Sequence, residues 1–375
     1  MGIKDIKKFA KDKSPRAFFD LDIQMLRGHK IAIDANNWMF TNYAIARKKV
    51  LEKTNILISD PDEEEIYKVW LTMALEFILK LFTYDITPVF TFDGVHPPEK
   101  DETKRLRREE RQKIADAITE DRRKIAAMDP LERSTFDTKN LLKNLSNYTN
   151  ISSEGFDKFR NFLDQLAVPV NNAKGDGEQL CCSLCWEGKV SAVFSADTDC
   201  LVYGCPLLIT GFSKARTEKR PMFSCIRLDY ILEDLAIDYY QFVDLCIMCG
   251  TDFNTKIRGY AAIKSSQLLA KHRSIDLLPA GFDVTPLKHH RCRELFSYKP
   301  SEQSVVGNLE IDINIDRIND CGYAIAPLRN ERYNPGSYIA AARSVRLATP
   351  DDSNPLQLTY VEPFIVGKKS LVWYL

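Results

Sequence analysis

The chain concentrates four carboxylates in one stretch. Lys174-Gly-Asp176-Gly-Glu178 is followed, after a short apolar helical run, by Ser195-Ala-Asp197-Thr-Asp199. Within each pair the acids stand two residues apart. Val190 to Asp199 reads as a β-run with the acids at its end, and acids two apart at a strand end project to one side because side chains alternate with a period of two. Asp197 and Asp199 are therefore expected to share a ligand. Several carboxylates packed together cannot all remain ionised without a counter-charge, and the stretch offers no matching set of Arg or Lys. Divalent cations bound through oxygen answer that need, and Mg²⁺ or Mn²⁺ suits an all-carboxylate site. The plainer alternative for Asp-Thr-Asp alone is a solvated acidic turn.

The elements that must position these acids repeat one pattern. His29-Lys-Ile-Ala-Ile-Asp34 and Pro88-Val-Phe-Thr-Phe-Asp93 are apolar β-runs that end on an acid, as does the run before Asp197. Ligands bind open parallel α/β sheets outside the carboxyl ends of the strands, so Asp34, Asp93, Asp197 and Asp199 should meet at one rim. Helical patterns fill the intervals, at Ala35 to Lys49, Glu63 to Phe82 and Phe156 to Ala167, with a short strand at Val168 to Val170 leading into Asp176. The apolar helix from Phe242, closed by Gly250, delivers a seventh acid, Asp252.

Residues 99 to 128 are highly charged. Lys100, Lys104, Arg107, Arg108 and Arg111 fall on one stripe at helical spacing, with Asp101, Glu102, Glu109 and Glu110 outside it. A one-sided basic helix reads as phosphate-binding, and a salt-bridged surface helix is the alternative. The turn Ile257-Arg-Gly259 enters another helix carrying Lys264 and Lys271, a workable clamp for a duplex backbone.

Composition sets the bounds. The 375 residues are 45% hydrophobic with 52 basic and 52 acidic side chains, so no global positive field announces a nucleic-acid partner. With seven acids committed to metal ions, however, basic residues exceed the remainder by seven. Ten cysteines, no signal peptide and no long apolar run predict a soluble protein of a reducing intracellular compartment without disulfides. Cys182/Cys185 and Cys246/Cys249 imitate zinc knuckles, but each pair lies in an apolar helical run far from the other.

These blocks resemble the flap endonuclease branch of the structure-specific 5′ nucleases over residues 1 to 278. The resemblance is carried by Met1-Gly-Ile-Lys, Ile31-Ala-Ile-Asp34-Ala, Val89-Phe-Thr-Phe-Asp93-Gly, Gly175-Asp-Gly-Glu178, Ser195 to Gly204, Phe242 to Ile247, Gly250-Thr-Asp252 and Ile257-Arg-Gly259. It implies an α/β fold, a central, mostly parallel sheet flanked by helices in a PIN-like nuclease core, with a charged helical arch and a helix-turn-helix lobe. Four regions follow: residues 1-98 of the nuclease, the arch at 99-150, the internal nuclease region with its lobe at 151-278, and a divergent region at 279-375. Asp34, Asp93, Asp176, Glu178, Asp197, Asp199 and Asp252 fall on the family's carboxylates for two Mg²⁺ ions, for which Mn²⁺ can substitute. Lys100 and Arg107 fall on its catalytic gateway pair, Phe40 on its base-stacking aromatic, and Gly2 on its processed N-terminus. Arg47, Lys104, Arg108, Arg111, Gly259, Lys264 and Lys271 complete the expected DNA contacts.

The implied partner is DNA with a 5′ flap, nick, gap or free 5′ end, cut by a monomer without a membrane, in replication, repair or recombination, and in the nucleus if the source is a eukaryote or a virus that replicates there. Departures are the Asp at 176 where the family has Glu, Ala261 in place of a turn glycine, and a 51 to 62 segment unlike the family's 3′-flap pocket. No sliding-clamp motif is present: Gln357 is followed by Tyr360 and Pro363, and Trp373-Tyr374 lacks an upstream Gln. Two other readings stand beside the nuclease. An Asp-x-Asp glycosyltransferase would use Asp197 and Asp199 alone, and a catalytically silent DNA-binding scaffold would share the fold.

Overall fold

The computed structural model describes residues 3, 5–213, 221–307, 309 and 317. Gly2, most of the 279-375 region, Gln357 and the apolar Ser370 to Leu375 end lie outside the described residues. In chain order the strands are β1 (Phe18–Asp22), β2 (Lys30–Asp34), β3 (Thr87–Phe92), β4 (Val170–Asn172), β5 (Ala192–Phe194), β6 (Leu207–Phe212), β7 (Met222–Arg227) and β8 (Val305–Val306). The helices of the first half are α1 (Ile6–Lys13), α2 (Ala35–Leu51), α3 (Glu63–Thr83), α4 (Asp101–Ala127), α5 (Pro130–Ser134), α6 (Lys139–Asn147) and α7 (Ser153–Gln165). Those of the second half are α8 (Gly177–Trp186), α9 (Asp199–Val202), α10 (Leu228–Leu235), α11 (Tyr239–Cys249), α12 (Ala262–His272) and α13 (His289–Phe296).

The strands form one sheet in the order β1-β7-β6-β5-β2-β3-β4-β8. Its centre is parallel, from β6 through β5, β2 and β3 to β4, while β7, β1 and β8 are antiparallel. Alternation along the strands divides the core in two. Ile31, Ile33, Phe90 and Phe92 face a cluster with Trp38, Trp70 and Phe159 from α2, α3 and α7. Ala32 and Val89 face the opposite cluster, built with Leu184 of α8 and Phe242 of α11. Helices thus cover both faces, as a parallel sheet buried on both sides requires.

All nine described cysteines are free and buried. Cys182, Cys185, Cys246 and Cys249 belong to the second cluster, and burial raises the thiols of Cys182 and Cys246. They pack as small apolar side chains rather than as thiolate ligands. Among the described residues, no helix is long and apolar enough to cross a membrane.

The charged insertion is one long helix, α4, followed by the shorter α5 and α6. Its far end is anchored by a third small core, in which Ile125, Leu141 and Leu145 pack on Leu51 and Ile56. Arg122 adds hydrogen bonds to the carbonyls of Ile56 and Ser59 and a contact to Asp60. The insertion is therefore tied down at both ends. On α4 the salt-bridged and the phosphate-binding readings occupy different faces: Glu102, Arg105 and Glu109 pair along one side, away from the basic stripe.

The expected helix-turn-helix lobe is α11 and α12 joined by residues 250–261, with the Ile257-Arg-Gly259 turn leading into α12. Past residue 279, where the sequence shows no pattern, α13 forms and is clamped to α11 by Arg293, whose Nε and Nη2 each lie 2.7 Å from the buried Asp244 carboxylate.

Candidate metal centre

Asp34 ends β2 and caps α2. Its Oδ1 accepts from the Asn37 N–H at 3.0 Å and its Oδ2 from the Ser195 hydroxyl at 2.8 Å. Asp93 follows β3 and is fixed on both oxygens, by the Gly177 N–H at 2.7 Å and the Asn36 amide at 2.8 Å. Glycine is needed at 177 because a Cβ there would stand 2.9 Å from Asp93 Oδ1. The Gly-Asp-Gly-Glu sequence therefore serves close approach: it lets the N-terminus of α8 dock on the acid of the neighbouring strand.

Asp197 and Asp199 arrive differently from the sequence reading. β5 stops at Phe194, Asp197 lies in the loop beyond it, and Asp199 is the first residue of α9. Strand alternation does not align them. A loop closed by the Asp199 N–H donating to Asp197 Oδ1 at 3.1 Å does. The result is the expected proximity by another route, with ligand atoms of Glu178, Asp197 and Asp199 all within 4.8 Å of one another.

Burial and mutual repulsion link the acids. Burial, with Asp93 and Asp197 adding to it, pushes the Asp34 carboxyl up to about 7. Glu178 is raised well above its ordinary value by burial and then by Asp197, Asp34 and Asp199. Asp199 is raised by burial, Asp197 and Asp252, against which Lys100 and the Ile3 N–H act. That last contact brings the start of the chain to the acids.

Two acids are neutralised by the insertion. Lys100 Nζ lies 2.8 Å from Asp176 Oδ2, and Arg107 Nη2 lies 2.8 Å from Asp252 Oδ2. Burial pushes Asp176 up, but His96 and Lys100 outweigh it and hold this carboxyl at about 2. Lys100 ends a 3-10 turn (Pro98–Lys100) just before α4. The structure thus gathers the seven acids with both proposed gateway cations. Asp199 Oδ1 is buried without a hydrogen-bond partner, and among the described residues Glu178, Asp197 and Asp199 form no ion pair. An oxygen-rich set of buried, mutually repelling carboxylates with an orphaned acceptor fits hard divalent cations.

The remaining candidates divide. Lys104 is half-exposed beside Lys100 and within electrostatic reach of Asp93 and Asp176. Arg108 is exposed, and Arg111 reaches Asn150 at 3.5 Å. Phe40 is half-buried against the core, edge-on to Phe156. Gly259, with φ +85°, and Lys264 and Lys271 on α12 are exposed.

Arg47 is a correction. It is buried at 6% exposure, donates from Nε to the Leu145 carbonyl at 3.0 Å, pairs with Glu63 at 3.2 Å and lies over the Tyr148 ring. It joins α2 to α6 instead of facing DNA. Arg47→Ala is expected to cost about 2–3 kcal/mol of stability in denaturant titration, since it strands a buried carbonyl and leaves a cavity. The salt slope of DNA binding should stay unchanged; a drop of about one unit would return Arg47 to the DNA interface.

Comparisons with known proteins identify the family. The XPG N-terminal domain matches residues 1–114 and the XPG I-region residues 167–252. The chain is 32% identical over 317 residues to flap endonuclease 1 of Cryptosporidium muris, covering 79% of this chain and 62% of that protein. The match thus spans less than two thirds of that relative's length. It is 28% identical over 337 residues to a probable RAD2-like endonuclease of invertebrate iridescent virus 6, covering 80% of each. Flap endonuclease-1 from Methanococcus jannaschii superposes with a TM-score of 0.53 at 21% identity, over 92% of this chain and 98% of that one, and shares its fold. The chain belongs to the XPG family of structure-specific nucleases.

Proposed function

We propose that this chain hydrolyses phosphodiester bonds of DNA at 5′ flaps or free 5′ ends by a two-metal mechanism, serving replication, repair or recombination. The observation that carries the reading is the group of seven linked carboxylates at the sheet's carboxyl rim, with Lys100 and Arg107 poised on two of them. Asp34, Glu178, Asp197 and Asp199, with Asp93, Asp176 and Asp252 around them, would hold two Mg²⁺ ions, or Mn²⁺ in their place. Such ions supply an activated water near neutral pH and neutralise charge on the attacked phosphate.

The chain's own groups do the rest. Asn36, Asn37, Ser195 and the Gly177 N–H hold the carboxylates in position before substrate arrives. Lys100 and Arg107 exchange their carboxylate partners for the scissile phosphate, and Lys104, Arg108 and Arg111 extend that grip along α4. Phe40 offers a ring on which an unpaired base can stack, and Lys264 and Lys271 with the Gly259 turn hold the duplex. The anchored α4–α6 insertion forms an arch beneath which a single-stranded 5′ end threads.

The test is digestion of 5′-labelled flap, nicked, gapped, bubble and single-stranded DNAs with Mg²⁺, with and without chelator. Chelator-sensitive cleavage of flaps is expected, suppressed when a bulky group blocks the 5′ terminus before enzyme is added. Equal rates on blocked and free flaps would rule out threading. Tight binding without cleavage of any substrate would instead favour the silent scaffold, while XPG membership leaves the glycosyltransferase without support.

A further inference from the structure

We propose that His96 supplies a nitrogen ligand to the ion held by Asp176, so that this centre takes Mn²⁺ in preference to Mg²⁺. The inference rests on the metal-dependent reading above and names a ligand outside its seven carboxylates. His96 lies on the segment between Asp93 and Lys100. That segment is pinned to the one carrying Asp176, since the Gly94 N–H donates to the Gly175 carbonyl at 2.7 Å and the Val95 N–H to the Lys174 carbonyl at 3.0 Å. Pro97 and Pro98 restrict the backbone beyond it. The imidazole is therefore delivered to Asp176 by a constrained loop.

What it meets there is an unfinished contact. Asp176 is 7% exposed, and its Oδ2 already accepts from Lys100 at 2.8 Å and from the Tyr203 hydroxyl at 3.2 Å. Its Oδ1 is buried with no hydrogen-bond partner, and so is His96 Nδ1. These two atoms face each other at 3.6 Å, too far for a hydrogen bond. Only this long charge contact joins them, so the hydrogen-bonding capacity of both buried atoms is left unused and open to a ligand that completes it.

The separation of 3.6 Å is slightly wider than that between two ligands of one ion, and a small closure would bring the pair into range. Two ligand atoms, each about 2.1 Å from one ion and subtending roughly 90–110°, lie about 3.0–3.5 Å apart. Both residues also line a cavity of ≈ 550 Å³. Mg²⁺ favours oxygen ligands, whereas an imidazole nitrogen is an ordinary ligand for first-row transition ions, of which Mn²⁺ also accepts carboxylates. A mixed nitrogen and carboxylate site thus shifts the balance toward Mn²⁺.

The experiment is pulsed electron paramagnetic resonance on the full chain loaded with Mn²⁺, without DNA. Electron spin echo modulation from a directly coordinated ¹⁴N is expected, and His96→Gln should remove it. The variant should also lose about 10-fold in Mn²⁺ affinity, in the range that lost ligand support costs, while Mg²⁺ affinity measured by competition stays nearly constant. Bound Mn²⁺ without ¹⁴N modulation in the unmodified protein would overturn the assignment, as would modulation that persists in His96→Gln. The unmodified protein alone decides the question if the variant is unstable. No bound Mn²⁺ at all would overturn both this ligand and the two-metal reading.

Discussion

Asp199→Asn is expected to lower cleavage by at least about 10³-fold, equivalent to roughly 4 kcal/mol of transition-state stabilisation, with DNA affinity kept or increased. The substitution preserves volume and removes one charge at the point where Glu178, Asp197 and Asp199 converge. The phosphate contacts proposed for α4 and α12 are untouched. A second readout separates a metal ligand from a structural acid. Asp34, Glu178 and Asp199 all hold their protons to higher pH in the folded chain than in an unfolded one, chiefly through burial. The metal-free fold binds the extra protons, so its stability should fall as pH rises from the ordinary carboxylate range toward about 7. Saturating Mg²⁺ should reverse that loss, adding about 2.7 kcal/mol for each site filled at a hundred times its Kd. In thermal melts Asp199→Asn should therefore raise the metal-free Tm and shrink the Mg²⁺-induced rise. A variant that cuts at the normal rate, or keeps the full Mg²⁺ shift, would remove Asp199 from the metal set.

What the sequence discloses depends on the range of the contact. β2 and β3 are continuous apolar runs closed by an acid, and a buried parallel strand has to look like that, so Asp34 and Asp93 could be placed at one rim directly. The pairing of Asp197 with Asp199 was legible as proximity but not as geometry, because nothing local says that β5 ends at Phe194 and that a helix starts at Asp199. β1 and the β6–β7 pair were not marked out: β1 closes on Asp22 but is interrupted by Asp20 and lacks the continuous apolar run of β2 and β3, while β6 and β7 close on no acid. Arg47 shows the limit most clearly. Its basic side chain suggests phosphate, yet its partner is a carbonyl 98 residues away on α6, and no sequence spacing encodes that contact. His96 had one available signal, its place three residues after Asp93, but a lone histidine in a proline-rich loop carries no periodicity that would set it apart.

Lys100→Ala and Arg107→Ala should each slow single-turnover cleavage by about 10² to 10³-fold, or roughly 2.7 to 4 kcal/mol, the cost of losing one preorganised donor at a developing charge. The structure explains why the loss should fall on rate more than on affinity. Without DNA both cations are already spent on carboxylates, Lys100 on Asp176 and Arg107 on Asp252. Leaving those partners for a phosphate costs much of what the new contact returns, so the net contribution to ground-state binding is small. In the transition state the phosphate carries more charge and the exchange becomes favourable, which is the condition for a binding interaction to accelerate chemistry. Lys100 is the stronger case because it is largely buried, where its field is less screened than that of Arg107 at 45% side-chain exposure. Lys100→Ala should also tighten Mg²⁺ binding, since it frees Asp176 from its ion pair. Tighter metal binding beside slower cleavage would be the signature of partner exchange. If both variants instead weaken DNA binding in proportion to rate, reduce the salt slope by about one unit each and recover fully at saturating enzyme, the pair is a docking surface only.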